Sequence, residues 1–527
     1  MRIRRKYTLS VVLTCICACV TGPVPWAAES VSSNDTLPLP KEFLTHHQIT
    51  TNGSKVAFTV RAGETYIYGD NGHPTGSIFS YAYTADGARP ANRPVMFVMG
   101  GGPGSASDTL NVGLLGPWTV AQNRLALQGA HTPASVPPFG VAENHNSLLD
   151  ATDLVFIDPI GTGYSHPVGP GKGQDFWGID EDLEALAQFI QLWLSKNGRW
   201  DSPKFFLGES YGGTRAALIP NILLGGPNYP GYTRAISLNG VIVMSNGLGW
   251  PVGADGIGTT WLSASSLPDF AATAWYHNRI DRKGRTLRQF YDEVWQFASG
   301  EFVIALQKEA VQVLPPEERQ AVVAKLCGFT GLPAAAFEKS LSISASDFAQ
   351  ALLADSHLRI SVYDSRYTAP AANNGEDAVA DDPFLMRAFP VFGGAFLEEE
   401  STQLKVHMDR PYAAIHFRDL NAHWNYTRRA TWVEGSGDQY KPKHFKTNAE
   451  ELAVAMTRND SLYAMVVTGY YDLLLTPAQA KYATEQAGIP KDRLILEPVE
   501  AGHMPYVDSG ATPLINDIRA MVRKASH

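Results

Sequence analysis

Lys204-Phe-Phe-Leu207, followed at once by Gly208-Glu-Ser-Tyr-Gly212, is the stretch on which the reading of this chain turns. The apolar run has the length and texture of a buried strand, and Thr214 to Leu224 reads as helix. A strand, a tight turn and a helix in that order lift the middle residue, Ser210, above the edge of a sheet. Glycines on both sides relieve the crowding of such a turn, and the helix N-terminus adds a field that favours developing negative charge.

The same texture recurs on either side. Pro94-Val-Met-Phe-Val-Met99 is a continuous apolar run that ends in Gly100-Gly-Gly-Pro-Gly104. Asp153-Leu-Val-Phe-Ile-Asp158 leads through a glycine-rich turn to a predicted helix over Asp180 to Asn197, with Leu183, Leu186, Ile190 and Trp193 on one face and Gly198 as its stop. Tyr463 to Thr468 and Arg493 to Glu497 supply two late strands. Strands that alternate with helices imply a mostly parallel sheet covered on both faces. Before them, Val56 to Val60 and Thr65 to Tyr68 read as two short strands with turn residues between, an antiparallel edge. Thr286 to Leu314 and Pro315 to Lys325 read as helical, while Asp382 to Lys443 reads as irregular and aromatic-rich. The pattern divides the chain into a first core segment over 40–249, a largely helical cap insertion over 250–448 and a second core segment over 449–527.

A serine hydroxyl is a weak nucleophile at neutral pH, so it needs a base, and the base needs an orienting carboxylate. On a sheet of this kind they follow in the order Ser, acid, His. Asp472 stands just past the strand that ends at Thr468, and His503 follows the last strand, so both project from the carboxyl edge that carries Ser210. An oxyanion would take two backbone donors, the N–H of Tyr211 and one from the early glycine loop, Gly102. The glycines are not a phosphate cradle, because no Gly-Lys-Ser/Thr follows and no dinucleotide fingerprint is present. The reading calls for no cofactor and no metal. It is acyl-transfer chemistry on an α/β-hydrolase fold.

Five blocks in order, Gly100 to Gly104, Asp158 to Ser165, Gly208 to Gly213, Gly469 to Asp472 and Ala501 to Met504, resemble the serine carboxypeptidase family, and especially its bacterial-type members. The resemblance implies release of the C-terminal residue from a peptide substrate, often at acidic pH, with Ser210, Asp472 and His503 as the triad and Gly102 with Tyr211 as the oxyanion hole. It also implies that Glu209 holds the substrate's terminal carboxylate, together with an Asn where this chain has Gly100. Loss of that amide removes a hydrogen bond of about 0.5–1.5 kcal/mol. Ser105 stands where the family loop commonly has Cys. Leu267 to His277 also resembles the bacterial-type members, and either lines the approach to the site or packs under the cap. An esterase, amidase or acyltransferase on the same machinery is the alternative, and a non-catalytic binding protein the reading from another class.

The 527 residues carry 43 Lys+Arg, 52 Asp+Glu and 44% hydrophobic residues, an ordinary globular composition. The opening Met1-Arg-Ile-Arg-Arg-Lys6 and the apolar run Leu9 to Val20 read as a secretory signal over 1–28, too short for a membrane span. Ile16-Cys-Ala-Cys19 offers a second possibility, a lipoprotein box with a lipid anchor on Cys19. Either address is periplasmic or extracellular. Cleavage near Ala27 leaves Cys327 as the one cysteine, hence no internal disulfide. Without the basic leader the net charge is about −13, which argues against nucleic acid or anionic lipid as partners.

Overall fold

Among the described residues the central sheet has ten strands, nine of them on one path: β1 Glu42–Thr51, β2 Ser54–Tyr68, β3 Pro74–Ala85, β4 Val95–Met99, β5 Asp153–Ile157, β6 Lys204–Glu209, β7 Gly240–Met244, β8 Tyr463–Gly469 and β9 Leu494–Val499. Their order is β1-β2-β3-β5-β4-β6-β7-β8-β9, with the short pair His166–Pro167 added beside β3. β1, β2 and β3 are antiparallel, as are β3 and β5, while every pair from β5 to β9 is parallel. This is the α/β-hydrolase order. The computed structural model describes residues 37–120, 137–225, 234–249, 260–372, 381–428, 432–434, 441–443, 447–507 and 511–526. The expected leader over 1–28, with Cys19, lies outside the described residues. Leu39–His527 forms one compact unit.

Alternation along the parallel strands feeds two cores. Phe205 and Leu207 of β6 enter one cluster with Met96, Phe156 and Met465, under the helices Leu385–Glu399 and Ala511–Ala525. Phe206, one residue out of phase, joins Phe97, Val155, Val241 and Val466 on the other face, under Ile179–Lys196, Tyr211–Leu223 and Asn448–Arg458. Each such side chain gives about 1.5–3 kcal/mol on burial, and a strand buried on both faces must therefore read as a continuous apolar run.

Three expectations change. The edge is one 15-residue strand, not two short ones, because Gly63 pairs with Glu42 on one side and Ser80 on the other. A Cβ there would sit 2.6 Å from the Lys41 carbonyl oxygen, so this glycine marks a close backbone approach and not a turn. Asp382 to Lys443 is not wholly irregular, since Leu385–Glu399 is helical across Pro390 and Gly393-Gly394, with Leu385, Ala388, Val391, Phe392, Ala395 and Phe396 buried at helical spacing. Thr286 to Leu314 is broken into Leu287–Phe297 and Val303–Ala310 by a π-helical turn over Ala298–Phe302. Those helices and Thr260–Tyr276 build a third apolar cluster, which takes in Tyr470, Tyr471 and Leu473 from the end of β8.

Carboxyl groups are buried along with the apolar surface. The Tyr83 hydroxyl donates to Glu399 at 3.0 Å, and those of Tyr81 and Tyr164 donate to Glu400 at 2.7 and 2.9 Å, tying the helix Leu385–Glu399 and the turn after it to the sheet. Burial pushes Glu399 and Asp158 up to about 8, and Asp108 and Glu209 up to about 7. An acid whose pKa is raised by folding favours the folded state while it keeps its proton, and this contribution is lost as pH rises from the unfolded value near 4 through the folded value. The midpoint of thermal unfolding is therefore expected to fall steadily between pH 5 and pH 9, and scanning calorimetry across that range checks it. A midpoint that rises toward pH 8 contradicts the assignment.

Candidate active site

β6 ends at Glu209 and the next helix begins at Tyr211, so Ser210 alone turns the chain, with φ 58° and ψ −122°. A non-glycine residue there costs on the order of 1–3 kcal/mol and persists only where its surroundings hold it. The surroundings are backbone. Ser210 N–H donates to the Met244 carbonyl at 2.9 Å, and the Asn246 amide donates to the Ser210 carbonyl at 2.9 Å. A Cβ at Gly208 would collide with the Gly212 carbonyl, and one at Gly212 would lie 2.6 Å from the carbonyl oxygens of Met99 and Gly100. The glycines thus admit three backbone segments to one point.

The early glycine loop lies against the nucleophile turn. A Cβ on Gly101 would stand 2.6 Å from Ser210 Cβ and 3.1 Å from its Oγ, so only glycine leaves the hydroxyl accessible. Gly102 has φ +105°, in the region glycine tolerates. Arg215, buried in the helix after Ser210, pairs with Asp182 at 2.6 Å, donates to the Gly100 carbonyl at 2.9 Å and lies 4.8 Å over the Tyr211 ring. It binds loop and helix together.

Beyond β8, Asp472 is fully buried. Its Oδ1 accepts the N–H groups of Leu474 and Leu475 at 2.9 and 3.1 Å, and its Oδ2 lies 2.7 Å from His503 Nδ1. That contact puts the imidazole proton on Nδ1 and leaves Nε2 as the free base. His503 is held from a second side, where its N–H donates to the Tyr363 carbonyl at 2.7 Å and its ring meets the Tyr363 ring edge-on at 5.3 Å. Burial pushes the His503 pKa down, but the charge and hydrogen bond of Asp472, with Glu209 adding to them, outweigh it and the net shift is upward.

Ser210, His503, Glu209, Gly101 and Gly102 share one cavity of about 300 Å³, with Asp472 behind His503. Tyr211 does not line it, and its ring packs edge-on against Trp424 at 5.3 Å. Gly100 does not line it. Its N–H donates to Ser107 Oγ at 3.2 Å, and a Cβ there would collide with the Ala106 carbonyl, so the position has no room for an asparagine as the chain stands. The Tyr506 hydroxyl donates to Glu209 Oε2 at 3.0 Å, while Oε1 has no hydrogen-bond partner among the described residues. Leu267 to His277 does not line the cavity: Asp269 takes the Tyr291 hydroxyl at 3.1 Å, and Thr273 meets Ser365 at 2.7 Å within the third apolar cluster. Sequence reasoning missed Asp108, Tyr363 and Tyr506. An acid in the otherwise uncharged run after the glycine loop, Ser105 to Asn111, was the one signal available for Asp108. Among the described residues no cluster of His, Cys, Asp and Glu could hold a metal ion, and Cys327 is a free thiol.

Residues 55–283 match the family model described as serine carboxypeptidase, a stretch that includes the glycine loop and Ser210. Serine carboxypeptidase-like 11 of Arabidopsis thaliana is 30% identical over 166 residues, 31% of this chain and 35% of that protein. Serine carboxypeptidase-like 12 of the same plant is 31% identical over a stretch of the same length and shares. The chain thus spans about a third of the length of the curated relatives it matches. Among solved structures, proline iminopeptidase of Mycobacterium smegmatis is similar at 12% identity and a TM-score of 0.36, covering 88% of this chain and 98% of that one.

If Asp472 sets the state of His503, Asp472→Asn should move the His503 titration downward and slow turnover about 10⁴-fold. Histidine NMR titration and steady-state kinetics on the same preparation check both. An unshifted His503 contradicts the arrangement.

Proposed function

We propose that this chain, matched over 55–283 to the serine carboxypeptidases, hydrolyses the C-terminal peptide bond of peptides through an acyl-enzyme on Ser210. The observation that carries the reading is the buried Asp472–His503 contact behind a cavity that also presents Ser210 and an unpartnered carboxyl oxygen of Glu209. In this reading His503 Nε2 takes the Ser210 proton as Oγ attacks the scissile carbonyl. The backbone N–H groups of Gly102 and Tyr211 receive the oxyanion, and the imidazolium returns its proton to the leaving amine. Water then repeats the sequence on the ester and restores Ser210.

Glu209 supplies the exopeptidase character. A carboxyl group binds a carboxylate only while one proton is shared between them, and burial holds the Glu209 proton up to about pH 7. Below that pH its Oε1 can meet the terminal carboxylate, while Tyr506 secures Oε2. The base imposes the opposite limit, because His503 must be neutral and its pKa lies above the usual value. The two limits meet near neutrality, so the optimum lies higher than the acidic one that the family resemblance implies. The burial of Gly100 favours a second reading, esterase or amidase work, since it leaves Glu209 without the amide partner of the family pattern. The segments 250–448 as cap, and export on the 1–28 leader with or without a lipid on Cys19, belong to the same proposal. Among the described residues no helix is long and apolar enough to cross a membrane.

N-blocked dipeptides with free, amidated or esterified C-termini, followed by mass spectrometry from pH 4 to 9, test the proposal. Release of the last residue should favour the free acid, with kcat/KM peaking near pH 7, and Ser210→Ala should lose about 10⁴–10⁶ in turnover. Glu209→Gln should abolish the alkaline fall, which the amide substrate should lack from the start. Preference for the amide or ester selects the second reading, and full activity of Ser210→Ala overturns both.

A further inference from the structure

Asp108 has no place in the chemistry above. It stands at the N-terminal end of a short helical turn after the glycine loop, 4% exposed, and it lines the cavity that holds Ser210. Among the described residues, the groups that favour its charge are backbone N–H groups of its own turn, at Asp108 and Thr109. No Lys or Arg lines the cavity among the described residues, and its other acid, Glu209, keeps one oxygen unpartnered at 4% exposure. Much of the lining is apolar, with Leu385, Phe389, Ile415, Phe417 and Met504 among it.

A buried carboxyl without a cation is costly unless it stays protonated or a partner arrives with the ligand. Two other buried carboxyls in this fold meet a cation, Asp182 with Arg215 and Asp364 with Arg366, and Glu399 and Glu400 are held by tyrosine hydroxyls. Asp108 has an apolar-walled space instead. Such a space suits an aliphatic stem with a cation at its tip, which buries methylenes along the wall and brings the missing charge to the acid.

We propose that Asp108 determines specificity by receiving the side-chain ammonium or guanidinium of the released C-terminal residue, so that the substrates are peptides ending in lysine or arginine. The inference rests on the exopeptidase reading above, in which Glu209 takes the terminal carboxylate of the same residue. The two acids then divide the two charged groups of one amino acid: Glu209, with its shared proton, meets the carboxylate, and Asp108 meets the cation. Asp108 raises the pKa of Glu209, so a cation that neutralises Asp108 removes this contribution.

Two measurements test it. In the first, benzyloxycarbonyl-Ala-Lys, benzyloxycarbonyl-Ala-norleucine and benzyloxycarbonyl-Lys-norleucine are compared in wild type and Asp108→Asn. Wild type should prefer terminal lysine to norleucine, and Asp108→Asn should lower the lysine-to-norleucine ratio of kcat/KM about ten- to a hundredfold, the range for loss of a charge-assisted bond. An unchanged ratio, no preference in wild type, or a preference that follows lysine on the acyl side overturns the proposal. In the second, calorimetry compares n-hexylammonium with n-hexanol binding to Ser210→Ala, with and without Asp108→Asn. Hexylammonium should bind at least about tenfold more tightly, and only where Asp108 is present; equal binding of the two probes overturns the cation site whether or not any peptide is cleaved. Cleavage without lysine preference would leave the exopeptidase reading intact, whereas hexylammonium binding without any cleavage would sink that reading and not the cation site.

Discussion

Everything at this site depends on backbone meeting backbone around Ser210. The left-handed turn of that residue, at φ 58°, would relax if the neighbouring chain gave way. It cannot, because Gly101 lies against the serine, Gly212 lies against the carbonyls of Met99 and Gly100, and Arg215 fastens the loop to the helix behind. In the proposed mechanism the N–H groups of Gly102, in that loop, and Tyr211, at the start of that helix, receive the oxyanion. Strain at the nucleophile and placement of the proposed oxyanion donors are thus consequences of a single packing arrangement.

Desolvation is the second organising force, and it acts differently on different groups. Asp472 accepts two backbone N–H groups and faces His503, so its buried carboxyl has partners for both oxygens. Glu209 takes the Tyr506 hydroxyl and Asp108 the N–H groups of its own turn, but neither hydrogen-bonds a base, and burial leaves them holding protons up to about pH 7. Acids buried in one fold can in this way serve different purposes, one as the orienting partner of a base and the others as proton-bearing or cation-seeking groups in a cavity. The distinction lies in the histidine that Asp472 faces.

Local signals were legible in the sequence where short-range geometry decides the outcome. The parallel strands around Met96, Phe156 and Phe206 announced themselves as apolar runs, because both faces are buried. The glycines flanking Ser210 marked the turn. Elsewhere tertiary contacts overrode local pattern: Gly63 resembled a turn residue but admits a neighbouring strand, and Pro390 with Gly393-Gly394 resembled breakers within a buried helix. Asp108 and Tyr506 became visible only once segments about 400 residues apart in the chain had been brought to one cavity. No periodicity in the sequence encodes such a meeting.

The central claim is that Ser210 is the nucleophile and His503 its base. Its most direct test is to treat the folded protein with a fluorophosphonate and map the adduct by peptide mass spectrometry, in wild type and in His503→Ala. A single phosphonyl group on Ser210, formed rapidly in wild type and at least about 10³-fold more slowly in His503→Ala, is the result this account requires. Labelling at another residue, or at Ser210 with a rate indifferent to His503, would contradict it.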